Sequence, residues 1–411
     1  MTPPARRNPL WTSPSFRRLW LARTTSHVGD GIALVALVLL VQETEGTGTA
    51  VGVLLLASSL PRFLGPLAGV VVDRVGQRNL MVLCDLGNAA IFASIAWLRP
   101  SFGVLLALVA ASSLLDTLFG PAGRSAVPSL VHADDLIQAN AWMGTSLNLQ
   151  VALGTLLGGA LVAAIGVRGA LAFDALSFFL SAALLIGLPP LRSPSTETTA
   201  GFLSAGRQGL AFAWRTRVVR TFLIVLFLGV AFAALDNIAL VFLVRETLGA
   251  GPVAFGLVSA AFGAGMIVAS LGLSIRRTSV AVTTLLIVAW LASGLGTVAT
   301  GLAPLIAVAA IAQAVGGFGN GLENIAADTL IQQAVPREML GRVFGLVTTA
   351  AFGGSTLAYA AGGPLLDLTS PRTVFLIAGA GILVVTACLW FALRDPGSPD
   401  PPTHPDSPTL R

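Results

Sequence analysis

The chain has 411 residues, 55% apolar and only 10% charged, with mean hydropathy +0.84. A soluble domain carries about 25% charged residues to keep its surface wetted, so this composition excludes a soluble fold. All 24 basic residues are arginine, for a formal charge of +5, and without lysine there is neither a Walker A phosphate grip nor a Schiff-base amine.

Apolar runs separated by charged or Pro/Gly-rich breaks predict an all-α membrane protein with twelve spans. The first six fall near Leu19–Val41, Ala50–Val72, Leu80–Leu98, Phe102–Ala126, Gln138–Ile165 and Gly169–Leu188. The next six fall near Val219–Val244, Val253–Leu273, Val280–Ala299, Pro304–Ala326, Val343–Leu366 and Thr373–Leu393. The first run follows Arg17 and Arg18 as a signal peptide would. It is too long for that and lacks a small-residue cleavage site, so it reads as a retained helix. With the N-terminus in the cytoplasm, seventeen loop and tail arginines lie inside and four outside, namely Arg99, Arg168, Arg245 and Arg372. That bias puts both termini in the cytoplasm.

The division expected is a cytoplasmic tail (1–18), a six-helix bundle (19–188), a cytoplasmic linker (189–218), a second bundle (219–393) and a disordered tail (394–411). Within the linker, Phe202–Trp214 has the pattern of a short interfacial helix. A single offset of 204 residues relates the halves. It carries Gly52 to Gly256, Asp73 to Arg277, Asp134 to Glu338, Gly158-Gly159 to Gly362-Gly363 and Arg168 to Arg372. Six spans per unit make the two repeats parallel, as in transporters with a path between their halves. Cys84 and Cys388 form no CxxC pair, and His27, His132 and His404 have no ligand spacing, so neither disulfide nor metal is expected. Gly294-Leu-Gly296-Thr-Val-Ala299 lies inside an apolar helix with no strand before it and reads as packing.

Between the second and third spans the chain reads Gly69-Val-Val-Val-Asp73-Arg74-Val-Gly76-Gln77-Arg78. This resembles the G-x-x-x-D-R-x-G-R-[RK] signature of the major facilitator superfamily, with Gln77 at a position usually basic. Gly69 permits close helix contact, Gly76 permits the turn, and Arg74 and Arg78 keep to the positive side. The resemblance implies that Asp73 faces the start of the eleventh helix and helps gate the halves. Phe119-Gly-Pro121-Ala122-Gly-Arg124 and Gln332-Gln333-Ala-Val-Pro336-Arg337 resemble the branch that contains enterobactin exporters and macrolide efflux pumps. Gly154-Thr155-Leu-Leu-Gly158-Gly159 is similar to the antiporter motif G-P-x-x-G-G, with Thr155 replacing proline.

Charges inside a membrane are costly and mark functional candidates. Asp30, Arg62 and Asp116 each sit some ten residues from the cytoplasmic end of a span, about 15 Å deep. An arginine neighbour favours the ionised carboxylate and desolvation the neutral one, the competition that a proton-coupling group needs. Glu323 is a further proton-coupling candidate. The resemblance implies that the first, fourth, seventh and tenth spans line the cavity, which makes Asp236, Asn237 and Asn324 substrate candidates. Asp85 and Asp174 fall close to span ends and read as interfacial or structural.

The function expected is secondary active transport by alternating access: proton-coupled efflux of an amphipathic small molecule such as a drug, antibiotic or siderophore. A lipid or lysophospholipid flippase on the same fold is the alternative. No convergent catalytic set is visible, so an enzyme is not expected. The partners expected are substrate, protons and the lipid bilayer of a bacterial-type inner membrane, with no nucleic acid and a monomeric chain. No cofactor is expected beyond the proton gradient.

Overall fold

A computed structural model of the chain describes residues 13–64, 76–131, 135–191, 199–275, 281–336 and 339–394. The described residues contain helices and no strand. Helix α1 is Pro14–Glu45, and α2 is Gly48–Ser59, which tightens into a 3₁₀ turn at Leu60–Leu64. Next come α3 (Gln77–Leu98) and α4 (Phe102–Ala126). Helix α5 (Leu136–Leu149) runs through a π turn at Gln150–Gly154 into α6 (Thr155–Ile186). Helix α7 (Thr199–Arg215) joins the halves. The second half opens with α8 (Arg217–Ala233), a short turn, and α9 (Asp236–Phe242) ending in a π turn at Leu243–Thr247. It continues with α10 (Pro252–Ile275), α11 (Val282–Leu302), α12 (Ile306–Ala334), α13 (Leu340–Leu368) and α14 (Pro371–Arg394).

Among the described residues nine helices are long and apolar enough to cross a membrane. One of them, Trp142–Ile186, has 45 residues; at 1.5 Å per residue it would measure about 67 Å, twice a hydrocarbon core. Gly166, at φ +74° and ψ 171°, breaks it into two. The expected loop between the fifth and sixth spans is therefore a single-glycine kink. The shorter apolar helix Gly48–Leu64 and the 29-residue α12 complete a set that accommodates the twelve spans. Helix α7 contains the stretch expected to be helical in the linker. Residues 14–18 of the expected N-terminal tail are already helical in α1, and Arg394 of the expected C-terminal tail ends α14. Residues 1–12 and 395–411, the rest of the second span and residues 192–198 of the linker lie outside the described residues.

Local chemistry sets the ends of α1. Ser13 Oγ accepts from Phe16 N at 3.3 Å, Pro14 opens the first turn, and Gly46 closes the helix at φ +65°. The spans alternate in direction, so Ser13 and Arg394 fall at one end of the bundle, the proximal end. The loops after α1, α9 and α13 lie at the opposite, distal end.

Lipid offers no hydrophobic force to press helices together, so they hold by close packing of small residues. The halves meet at two crossings of this kind, α2 on α13 and α10 on α6. An added Cβ at Gly52 would stand 2.7 Å from the Tyr359 carbonyl oxygen, and one at Gly256 would stand 2.7 Å from that of Thr155. From the facing helices, an added Cβ at Gly363 would stand 2.8 Å from the Gly48 carbonyl oxygen and one at Gly159 would stand 2.5 Å from that of Pro252. Every position at one crossing is offset by 204 from its counterpart at the other. The two crossings are one contact, made twice by the duplicated sequence.

The apolar core is forked. One cluster spans both halves at the distal end, joining Ile32, Val38, Leu54 and Phe92 to Leu235, Phe242, Leu366 and Phe375. Toward the proximal end it divides. One branch, with Phe16, Met81, Phe119 and Leu185, belongs to the first half; the other, with Phe222, Trp290, Ile331 and Leu389, belongs to the second. Among the described residues, the apolar cluster shared by both halves lies distally, and toward the proximal end each half has a core of its own.

Within the second half, glycines press α12 between α10 and α11. An added Cβ at Gly317 would collide with the Phe262 carbonyl oxygen, whereas one at Gly272 would meet nothing within 4 Å. Gly317→Ala is expected to cost on the order of 1–3 kcal/mol through overpacking, lowering the melting temperature of the detergent-solubilised protein. Gly272→Ala should leave that temperature unchanged or slightly raised.

Candidate functional site

The site begins with Gly29-Asp30-Gly31, midway along α1. Gly29 abuts Asp174 and Ser177 of α6, and Gly31 abuts Gln150 and Gly154 at the π turn, both at distances that leave no room for a Cβ. Two glycines thus press α1 onto the fifth and sixth spans and fix Asp30 between the two contacts. His27 Nδ1 lies 3.6 Å from Asp30 Oδ2, within ion-pair reach but beyond hydrogen-bond distance.

Helices α3 and α4 add three groups. Asn88 Nδ2 donates to Asp116 Oδ1 at 2.8 Å, and Asp85 lies one turn from Asn88 on the same face. Asp85 and Asp174 are 1% and 0% exposed, so of the two readings, interfacial or structural, their burial favours the structural one. Asp174 accepts from Ser177 Oγ at 3.2 Å. Arg23, two turns before Asp30, is within electrostatic reach of Asp30, Asp85 and Asp116, and its guanidinium lies 4.7 Å from the Phe119 ring centroid. Arg23 Nε, Asp85 Oδ2 and Asp174 Oδ2 are buried without a hydrogen-bond partner. Buried polar atoms of that kind are costly where the site is purely structural.

Asp116, by contrast, is exposed although its neighbours are interior. Arg62, on the 3₁₀ turn after α2, is exposed as well; it is within electrostatic reach of Asp116 and sits 5.6 Å from the Phe352 ring centroid on α13. Arg62 therefore belongs to the space between the halves and touches both. Asp30 lies within the electrostatic surroundings of Asp116, so the structure gathers Asp30, Arg62 and Asp116 into one region.

The second half carries smaller polar groups. Asp236 opens α9 after the turn and accepts from Gln313 Nε2 of α12 at 2.8 Å; Asn237 donates to the Tyr359 hydroxyl at 3.1 Å. Glu323 is 6% exposed and lies beside Asn320, and exposed Asn324 reaches the Asn320 side chain at 3.4 Å. Glu323 is thus interior, apart from the first-half cluster.

The antiporter-like glycines are contact points. Gly154 and Gly158 face α1, at Val28 and Ile32, while Gly159 faces Gly256 of α10. One motif therefore packs its own half on one face and the opposite half on the other. Of the gating motif, Gly69, Asp73 and Arg74 lie outside the described residues. Gly76 adopts φ +85° at the start of α3, the turn its residue type implies. Arg78 donates to the Leu188 carbonyl at 3.1 Å and Arg18 to that of Gly187, so both cap the proximal end of α6. Among the described residues, no three His, Cys, Asp or Glu side chains cluster as a metal site would need.

The sequence profile of a family described as transmembrane secretion effector, within the major facilitator superfamily, matches residues 8–404. The chain belongs to that family. Its fold is the major facilitator fold: a nucleoside transporter, NupG, superposes with a TM-score of 0.72 at 14% identity, covering 92% of this chain and 99% of that one. A POT family transporter in complex with 5-aminolevulinic acid superposes with a TM-score of 0.76 at 10% identity, covering 92% and 95%. Among curated relatives, the multidrug efflux pump Tap of Mycobacterium tuberculosis (strain H37Rv) is 30% identical over 221 residues, 51% of this chain and 52% of that protein. The enterobactin exporter EntS of Citrobacter koseri is 28% identical over 190 residues, 45% and 46% respectively. The chain spans about half the length of the curated relatives it matches.

The difference in exposure among these carboxylates can be measured. A water-soluble carbodiimide with an amine nucleophile, followed by peptide mass spectrometry, should label Asp116 before Asp85 or Asp174. Equal labelling of all three would show that water reaches the whole cluster.

Proposed function

We propose that this protein is a proton-coupled exporter of amphipathic small molecules, working by alternating access. The forked core carries the reading: an apolar seal shared by both halves at one end, with a separate core in each half toward the other, suits two halves that rock against each other. The names of the relatives Tap and EntS point in the same direction, toward efflux of drugs or of siderophores. The proposed division is an N-terminal bundle (19–188), a linker (189–218) containing α7, and a C-terminal bundle (219–393). The proposed setting is a bacterial inner membrane with both termini, and so the proximal end, in the cytoplasm. The working unit is a monomer with the proton gradient as its energy source and no cofactor.

The residues divide the work. Asp30 and Asp116 take and release protons, Arg62 compensates their charge from the cleft, and Glu323 is a second proton site. Asp236, Asn237 and Asn324 meet substrate. Asp73, with Gly69, Arg74, Gly76 and Arg78, forms the cytoplasmic gate. The chain as a whole carries 21 phenylalanines against one tyrosine, a composition that suits a greasy cargo over a sugar.

Two measurements test this. Asp30→Asn in proteoliposomes should abolish uphill transport driven by a pH gradient yet allow downhill exchange, because the amide keeps the size but cannot exchange the proton. Wild-type coupling in this variant would remove Asp30 from the mechanism, and Asp116→Asn and Glu323→Gln would be tested next. For orientation, single cysteines replacing Thr47 and Ser193 should label from opposite faces of whole cells. Labelling from one face would overturn the topology.

A further inference from the structure

Helix α2 begins with Gly48 and Thr49, whose backbone N–H groups have no acceptor within their own helix. Thr47 Oγ1 serves only the third, Ala50 N, at 3.2 Å. The first two are satisfied from the other half of the molecule. Asp367 Oδ1 accepts from Gly48 N at 2.5 Å, and Asp367 Oδ2 accepts from Thr49 N at 2.9 Å and from the Thr49 hydroxyl.

Asp367 itself is the penultimate residue of α13. A carboxylate at the C-terminal end of a helix opposes that helix's dipole, so this residue is a misfit in its own element. The conflict is relieved only while the N-terminus of α2 lies against it.

The other crossing lacks this device. Moving back 204 residues from Asp367 gives Ala163, and moving forward from Gly48 and Thr49 gives Pro252 and Val253. Ala163 has no acceptor, and Pro252 has no N–H to be capped. The symmetric fold therefore carries an asymmetric fastening. Two further contacts lie at the same end: Arg245 Nη2 donates to Glu43 Oε1 at 2.9 Å, and Gln42 Nε2 donates to Glu246 Oε1 at 3.0 Å. Both are exposed and therefore weak.

We propose that Asp367 is a detachable cap that latches the distal end of the bundle shut, weighting the equilibrium toward the distal-closed state. The latch presupposes the alternating-access reading above, and it adds a positioning residue that acts through α2 without touching substrate. Parting the distal end strips two N–H groups of their acceptor and leaves Asp367 facing its own helix dipole.

The test uses two pairs of exposed sites, each pair related by the 204-residue offset, in the full chain with Cys388→Ser. Spin labels at Leu98→Cys and Leu302→Cys report the distal end, and labels at Ser129→Cys and Gln333→Cys the proximal end. By double electron–electron resonance, Asp367→Ala should raise the ratio of distal-open to distal-closed molecules roughly fivefold, the ratio that one lost helix cap carries. The proximal distance should shorten in step. Thr49→Val, which removes the hydroxyl and leaves the carboxylate, should move both pairs the same way by less. A purely structural role for Asp367 would broaden both distributions together. That result, or unchanged distal distances in both variants, overturns the proposal. Should Asp367→Ala fail to fold, Thr49→Val carries the test, and no shift there overturns it. The distances are read without transport, so an absence of efflux would count against the function proposed above and not against the latch.

Discussion

The structure depends on backbone meeting backbone at two glycine crossings. Inside lipid, water cannot squeeze helices together, so contact distance has to supply the attraction. Gly52 with Gly363 and Gly256 with Gly159 bring main chain against main chain at separations no side chain would permit. These contacts sit at the distal end, where the apolar cluster common to both halves also lies. Fold, cleft and core follow from where the small residues lie.

On that scaffold the halves have diverged in chemistry. The first holds four carboxylates, Asp30, Asp85, Asp116 and Asp174, with the half-buried Arg23 within electrostatic reach of the first three and Arg62 of Asp116. The second spaces its acids apart and gives each an amide neighbour, Gln313 for Asp236 and Asn320 for Glu323. Duplication supplied equal frames, and later substitution concentrated charge in one. The same divergence separates the distal contacts, where one crossing has a carboxylate and the other a proline.

Much of this was legible in the sequence. The spans follow from hydropathy, and the 204-residue offset places Gly52 with Gly256 and Gly159 with Gly363, the positions that make the equivalent contacts. Gly76 was readable because only a positive φ required it. Depth along a span was legible, but rotation about its axis was not. For Asp85 and Asp174 the sequence leaves interfacial and structural roles open, because counting from span ends gives height and not the direction in which a side chain points. Arg23 could have been found, since it lies seven residues before Asp30 and so shares its helix face. For Arg62, the tightening of α2 into a 3₁₀ turn accompanies a contact with Phe352 that no periodicity in the sequence announces. The loop expected near residues 166–168 is one glycine because α6 resumes at once.

The forked core also bears on how such a chain can change over time. The two proximal branches each lie wholly within one half, so a substitution at Met81 or Trp290 alters the soundness of that half while bearing equally on every arrangement of the pair. The distal trunk belongs to both halves, and a substitution at Leu54 or Phe242 alters soundness and the balance between arrangements together. Sequence drift is therefore cheap along the branches and constrained in the trunk. Change at the proximal end can accumulate while the seam common to both halves is left undisturbed.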